Sequence, residues 1–286
     1  MADALVPARQ TGTKPPAGAV GRVGHPLTPR LAFLFNEGSG SRAYGIPSSV
    51  VGDLINSASF APIAGFPRLG LQIANASAGY VDVPYPDAPF LGPLSIVWRG
   101  YFESIAQGGS GFQHLAGKHA GSGSNDNPFD FRTGLFQTTL ELVRANAGGF
   151  NTYTSGSFTD VRDQQYLMLA MAAGRLEEAV TFAYNGQISS GGPVGSGTTG
   201  PATGTQANIR IGQRADGGTV QFDGGSIEFV FFYDRRLTVA ELLALYANPY
   251  QWVQPPRRSA MTLASTAAVR TAPASAPFAV GAEWGR

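Results

Sequence analysis

The sequence predicts an all-β chain: a two-layer antiparallel sandwich finished by one short helix. Three observations carry that reading. The 286 residues include 38 Gly and 20 Pro, with 43% hydrophobic and only 14% charged residues, which supplies one core and a high density of turns. Short apolar runs alternating with period two recur along the chain, and no helix pattern of the kind a parallel βαβ sheet needs lies between them. Finally, GGSIEFVFFYDRRLTVAELLALYANP, from Gly224 to Pro249, runs an apolar segment straight into a capped helix.

In chain order, strands are expected at Leu31–Phe35, Leu69–Ala74, Gly79–Val83, Leu94–Phe102, Phe112–Lys118, Phe129–Arg132, Thr138–Arg144, Tyr166–Ala172, Ala179–Tyr184, Asn208–Gly212 and Ser226–Tyr233. The run TTLELVR alternates strictly, and FAYNGQI sets Asn185-Gly186 at the tip of a hairpin with a type I′ turn. The Gly/Ser-rich stretch Ser189–Thr205 is expected as a rim loop. In the last strand, alternation sets Ile227, Phe229, Phe231 and Tyr233 on a uniformly apolar face and Glu228, Val230 and Phe232 on the other. The charged Asp234–Arg236 stops it. Thr238 and Glu241 have capping-box spacing, Leu242, Leu245 and Tyr246 form one apolar stripe, and Asn248-Pro249 ends the helix. A helix of about two to three turns is unstable alone, so it is expected to clasp the sheet.

The net charge of +1 hides a division. Residues 1–30 carry Asp3 against Arg9, Lys14, Arg22 and Arg30, which is +3; residues 255–286 carry Glu283 against Arg257, Arg258, Arg270 and Arg286, also +3; residues 31–254 are left at −5. Three segments follow: a basic N-terminal arm (1–30), the sandwich (31–254) and a basic C-terminal arm (255–286). The arms are rich in Ala, Pro, Gly, Ser and Thr without sustained period, so they are expected to gain order only on a partner, through these basic residues and apolar anchors such as Phe278 and Trp284. Their charges are sparse and lack interleaved aromatics, so nucleic acid is not the expected partner. No apolar run is long enough to cross a bilayer, and MADALVPARQ lacks a signal peptide's apolar region; no membrane partner is expected, and synthesis in a cytoplasm is. The absence of Cys removes disulfides, thiolate metal sites and cysteine nucleophiles.

Taken together, LAFLFNEGSGSRAYG (Leu31–Gly45), GYVDVP (Gly79–Pro84), LSIVWRGYF (Leu94–Phe102), the YNGQ hairpin, IRIGQR (Ile209–Arg214) and the closing motif resemble, in that order, the laminin G-like group of concanavalin A-like jelly rolls. The resemblance spans Leu31 to about Pro249. It implies two curved antiparallel sheets and identifies the last helix as that group's terminal clasp. Gly45 stands where members commonly have Asp, ANASAGY where they have a DG before the next strand, and DQQYLMLAMAAG where a Trp-His-His is often found. These departures degrade the group's Ca2+ site. Asp126, Asp130 and Asp223 are alternative Ca2+ ligands in Gly-rich surroundings, although turn-forming Asp is the better reading, and no cofactor is expected.

Catalysis finds little footing in the sequence. Glucanases on this fold set acidic residues at alternate positions of one strand, facing a cleft. Here Glu141 is alone in its strand, and adjacent Glu177 and Glu178 point to opposite faces. His114 and His119 are an odd number apart, His25 lies in the arm, and there is no G-x-S-x-G elbow. GSGTTG at Gly195–Gly200 matches G-x-G-x-x-G but precedes PATGT and no helix. A non-enzymatic protein is therefore expected. Sugar sites combine aromatic faces with amides and carboxylates, and GGFNTYTSGSFTD offers Phe150, Asn151, Tyr153, Phe158 and Asp160, although aromatics in a sandwich more often cover its core. The arms and the ANPYQWVQP segment resemble structural proteins of tailed bacteriophages. That implies a virion protein made in a host bacterial cytoplasm, decorating the capsid or sitting at the tail or portal, with other virion proteins as partners and homo-oligomers in the assembly. A lectin-like adhesion module binding a host-surface glycan ranks second and a glycoside hydrolase third.

Overall fold

A computed structural model describes residues 20–21, 24–47, 49–63, 66, 68–74, 79–86, 88–102, 112–118, 128–134, 138–146, 149–158, 166–195, 207–214, 222 and 224–254. Among them are nineteen strands and one α-helix. The strands are β1 (Val20–Gly21), β2 (Leu31–Phe33), β3 (Arg42–Ile46), β4 (Val51–Ile55), β5 (Ser59–Pro62), β6 (Leu69–Ile73), β7 (Tyr80–Val83), β8 (Leu94–Phe102), β9 (His114–Lys118) and β10 (Phe129–Thr133). They continue with β11 (Leu140–Asn146), β12 (Gly149–Thr154), β13 (Tyr166–Ala173), β14 (Val180–Tyr184), β15 (Gln187–Gly191), β16 (Pro193–Gly195), β17 (Ile209–Ile211), β18 (Gly225–Tyr233) and β19 (Val253–Gln254); helix α1 is Val239–Ala247.

Every pairing is antiparallel. One ladder runs β15-β14-β13-β8-β18, the far edge of β18 being shared by β2 and β6, with β5 beyond β6. The second runs β3-β4-β7-β17-β9-β10-β11-β12-β16. Pairing of β2 with β3 joins the ladders, and the strands form a closed barrel. The main core takes inward side chains of both: Phe33, Trp98, Leu169 and Phe232 from the first, Val81, Phe129, Phe131, Leu142 and Ile211 from the second.

A second apolar cluster covers the outward face of the first ladder. Val97, Ala170, Phe229, Phe231 and Tyr233 meet Leu242 and Leu245 of α1 and the following Tyr250, Trp252 and Val253. The helix begins as its sequence predicts: Thr238 accepts from the Glu241 N–H while the Glu241 carboxylate accepts from the Thr238 N–H, a complete capping box. The Asn185-Gly186 turn has φ of 45° and 83°, the two positive values that a type I′ hairpin needs.

The structure changes several expected elements. Alternation along β18 breaks at a bulge between Ile227 and Phe229, so Ile227 joins Val230 and Phe232 in the main core, while Phe229, Phe231 and Tyr233 face the clasp. Eight of the nineteen strands fall outside the expected spans: β1 and β19 at the two ends of the described body, β3, β4 and β5 between the first two expected strands, β12 within the segment expected to bind sugar, β15 overlapping the expected rim loop and β16 within it. Upstream of Leu31, β1 pairs with β19, Leu27 is buried in the second cluster, and the Arg30 N–H donates to the Phe232 carbonyl at 2.8 Å. Packing on the body thus begins inside the segment read as an arm.

Candidate functional site: the outward face of the second ladder

The two outward faces differ in kind. The first ladder's is sealed by the clasp. On the second, register sets Arg42, Asp53, Asp82, Arg210, Gly117, Asp130, Val143, Thr152 and Val194 opposite one another in sequence, one residue from each of nine strands. Their strand neighbours Ala43, Val81, Ile211, Ala116, Phe131, Leu142 and Tyr153 are in the core, so this row points away from it. The local signal is plain in FDFRT: Phe129 and Phe131 turn inward, Asp130 and Arg132 outward.

Opposite charges neighbour one another along the row. The Arg42 Nε lies 3.3 Å from the Asp53 Oδ1, with both side chains 63% exposed. The Arg210 Nε lies 3.3 Å from the Asp82 Oδ1, and Asn208 Nδ2 donates to the other Asp82 oxygen at 2.5 Å. At the centre His114 Nδ1 is 2.8 Å from Asp130 Oδ1, and Arg132 bridges Asp130 (3.7 Å) and Glu141 (3.0 Å). His114 and Asp130 are buried, and Gly117 makes room for the imidazole, since a Cβ there would lie 2.7 Å from His114 Cε1. Burial pushes the Glu141 carboxyl up, and the Arg132 guanidinium opposes that shift. Aromatic rings interleave: Arg210 lies 4.5 Å over the Tyr80 ring, Arg132 lies 4.1 Å over Phe112, and Phe150, 37% exposed, stands on β12 beside Thr152.

The sequence-expected sugar residues are not brought together. Phe150 is on this face, but Tyr153 is a core residue whose hydroxyl donates to the Leu176 carbonyl, and Asn151 is buried with its amide donating to the same carbonyl at 3.2 Å. Phe158 is buried against Tyr184, and Asp160 lies outside the described residues. The period-two pattern of a strand explains this: Asn151 and Tyr153 share the inward side, Phe150 and Thr152 the outward one. Of the arm residues, Arg30 is described and exposed; Arg9, Lys14, Arg22, Arg257, Arg258, Arg270, Phe278 and Trp284 lie outside the described residues. Asp130 faces His114 and Arg132, while Asp126 and Asp223 lie outside the described residues. No three metal-ligating side chains converge among the described residues.

No family model and no curated protein matches the chain. Solved structures do. A Trypanosoma rangeli sialidase in complex with 2,3-difluorosialic acid matches at 16% identity and a TM-score of 0.53, over 76% of this chain and 32% of that one. A structure described as a receptor binding domain matches at 10% identity and 0.55, over 76% and 50%. The binding domain of botulinum neurotoxin DC in complex with rat synaptotagmin II matches at 9% and 0.50, over 74% and 52%. This likeness is one of fold. The chain spans about a third of the sialidase's length and about half that of the two binding domains.

These neighbours overturn the expectation of a non-enzymatic protein. Sialidases are glycoside hydrolases and recur among the similar structures, so the fold gives no ground for excluding an enzyme. Acidic residues along a single strand are also too narrow a criterion, because carboxylates on neighbouring strands can share a face. Strand pairing brings Asp130 of β10 and Glu141 of β11 to either side of Arg132 on one face.

Proposed function

We propose that the chain is a ligand-binding module of the concanavalin A-like jelly-roll class, its closed antiparallel circuit being a flattened two-sheet sandwich. It recognises a saccharide through the outward face of the second ladder. The observation that carries this reading is the outward row across nine strands, charged at Arg42, Asp53, Asp82, Arg210 and Asp130 and interleaved with Tyr80, Phe112 and Phe150, on a face that the clasp does not cover. Ring faces bind the apolar side of a sugar, and neighbouring carboxylates, amides and guanidiniums take its hydroxyls. Sialylated glycans are the first to test, because sialidase bound to sialic acid is among the structures of similar fold.

The test is a glycan array with full-length protein and the Phe150→Ala variant. Phe150 is partly exposed, so its loss is expected to abolish retention of the bound glycan while leaving the melting temperature unchanged. Release of free sugar from a retained glycan, followed on the same array, would extend the reading to hydrolysis. No retained glycan, or retention unaffected by Phe150→Ala, removes this face as the sugar site.

The charge division favours a second reading that concerns attachment. Arms at +3 each against a body at −5 suit a module carried in an assembly, for which a virion is our proposal. Locating the protein in a purified particle tests it.

A further inference from the structure

The seal over the first ladder has a polar margin. Beyond Phe229 and Tyr250, whose rings meet edge-on with centres 5.7 Å apart, the outward positions are Arg99 and Tyr101 on β8, Tyr166 on β13, Ser226 on β18 and Gln72 on β6. Arg99 is buried between rings: its guanidinium carbon lies 4.5 Å from the Tyr166 ring centre and 6.0 Å from that of Phe229. Its Nε faces one Glu228 oxygen at 3.1 Å, while Arg68 Nη1 and the Tyr250 hydroxyl hold the other at 2.8 and 2.5 Å. Ser226 donates to the Gln72 side chain at 2.6 Å. The Arg99 Nη1 and the Tyr166 hydroxyl are buried with no hydrogen-bond partner among the described residues. Phe66, 38% exposed, stacks on the Tyr166 ring with centres 4.4 Å apart, and Arg68 is 19% exposed, so the cluster reaches solvent through these two side chains.

We propose that Arg99 and Tyr166 bind the carboxylate of a small organic ligand whose apolar body lies against Phe66. Charge sets the sign and valence of that ligand. Among the described residues Glu228 is the carboxylate whose charge acts on Arg99, and it neutralises only one of the two guanidiniums, Arg68 and Arg99, that face it. The remaining positive charge matches a monoanion, whereas a dianion would bring unbalanced negative charge beside buried Glu228. Hydrogen bonding sets the chemistry. The Arg99 Nη1 and the Tyr166 hydroxyl are buried donors, and a buried donor without an acceptor carries a desolvation cost that an acceptor oxygen removes. Two donors on neighbouring side chains suit the two oxygens of one carboxylate, and a charged acceptor makes the stronger bond to a guanidinium. The exposed Phe66 ring supplies a face for the apolar part of the ligand. This inference does not depend on the sugar reading.

The probe is benzoate, titrated into the full-length protein by calorimetry at constant ionic strength with chloride as the balancing anion. Benzamide keeps the shape of benzoate without its charge, and sulfate has charge without a ring. Saturable binding of benzoate is expected, with benzamide and sulfate each weaker by about tenfold or more. Tyr166→Phe removes one unpartnered hydroxyl, so it is expected to weaken benzoate about tenfold while leaving the melting temperature of the unliganded protein unchanged. Arg99→Met is expected to weaken benzoate on the order of a hundredfold; should that variant fail to fold, Tyr166→Phe alone decides. Absence of saturable benzoate binding, or unaltered affinity in Tyr166→Phe, overturns the site. Benzamide that binds as well as benzoate overturns the charge argument, and sulfate that does so overturns the carboxylate.

Discussion

Glu228 occupies the bulge of β18 with no exposed side-chain surface, and three groups close around it. Arg68 Nη1 lies 2.8 Å from one carboxylate oxygen, Arg99 Nε 3.1 Å from the other, and the Tyr250 hydroxyl donates at 2.5 Å. A buried carboxylate without such partners would cost several kcal/mol, and these three groups offset that cost at the bulge. Arg144 has a different environment. It is buried, and its guanidinium donates to the carbonyls of Pro128, Gly174, Phe90, Leu91 and Gly92, tying together segments far apart in sequence. Burial lowers it to about 10, so it remains cationic at neutral pH. For Tyr250, burial and then the Glu228 charge push the hydroxyl well above its ordinary value. The unfolded chain loses that proton near pH 10 while the folded chain keeps it, so Tyr250 contributes stability below that pH and loses about 1.4 kcal/mol per unit above it. Tyr250→Phe is therefore expected to cost about 1.5–3 kcal/mol at pH 8 and to soften the alkaline decline, as read from urea unfolding at pH 8 and about pH 11.

Among elements, the clasp shows how a short helix is held. Thr238 and Glu241 satisfy its first turn, and Arg235 pairs with the same Glu241 carboxylate at 2.8 and 3.0 Å, holding the acid below its usual range. The apolar stripe does the rest: Leu242 and Leu245 are buried, and Tyr246 packs at the margin. Leu245→Asp inserts an unpaired carboxylate into that cluster and is expected to cost on the order of 4 kcal/mol, lowering the melting temperature. An unchanged melting temperature would show that the helix is dispensable. Legibility of elements followed the same physics. The strand Leu94–Phe102 and the capping box announced themselves in sequence because apolar alternation and local hydrogen bonds are near-neighbour properties. Strand β12 did not, because GFNTYT mixes ring, amide and hydroxyl residues, and its assignment depends on pairing with LELVRAN of β11.

For the whole molecule, the arrangement separates two outward faces. The clasp helix, Trp252 and Val253 belong to the cluster outside the first ladder, and the polar row lies outside the second, with the main core between them. Among the described residues, Phe150 and Leu245 belong to different faces with the main core between, and changes at the two are expected to add independently. The Phe150→Ala/Leu245→Asp double variant is therefore expected to change the melting temperature by the sum of the two single effects. A double variant whose melting temperature departs from that sum would show that the two faces are coupled through the core.

The sequence by itself determined the all-β class, the I′ hairpin, the capped clasp and the division of charge, because composition, local hydrogen bonding and near-neighbour periodicity are written along the chain. Tertiary structure decided what depends on pairing. It closed the strands into a barrel, moved Tyr153 and Asn151 inside while leaving Phe150 out, and shifted β18 by one residue around Glu228. It also assembled His114, Asp130, Arg132 and Glu141 on one face and brought Val20 beside Gln254. The physical reason is register: which residues share a face across strands is set by hydrogen bonds between segments remote in sequence, and a single bulge inverts every position beyond it.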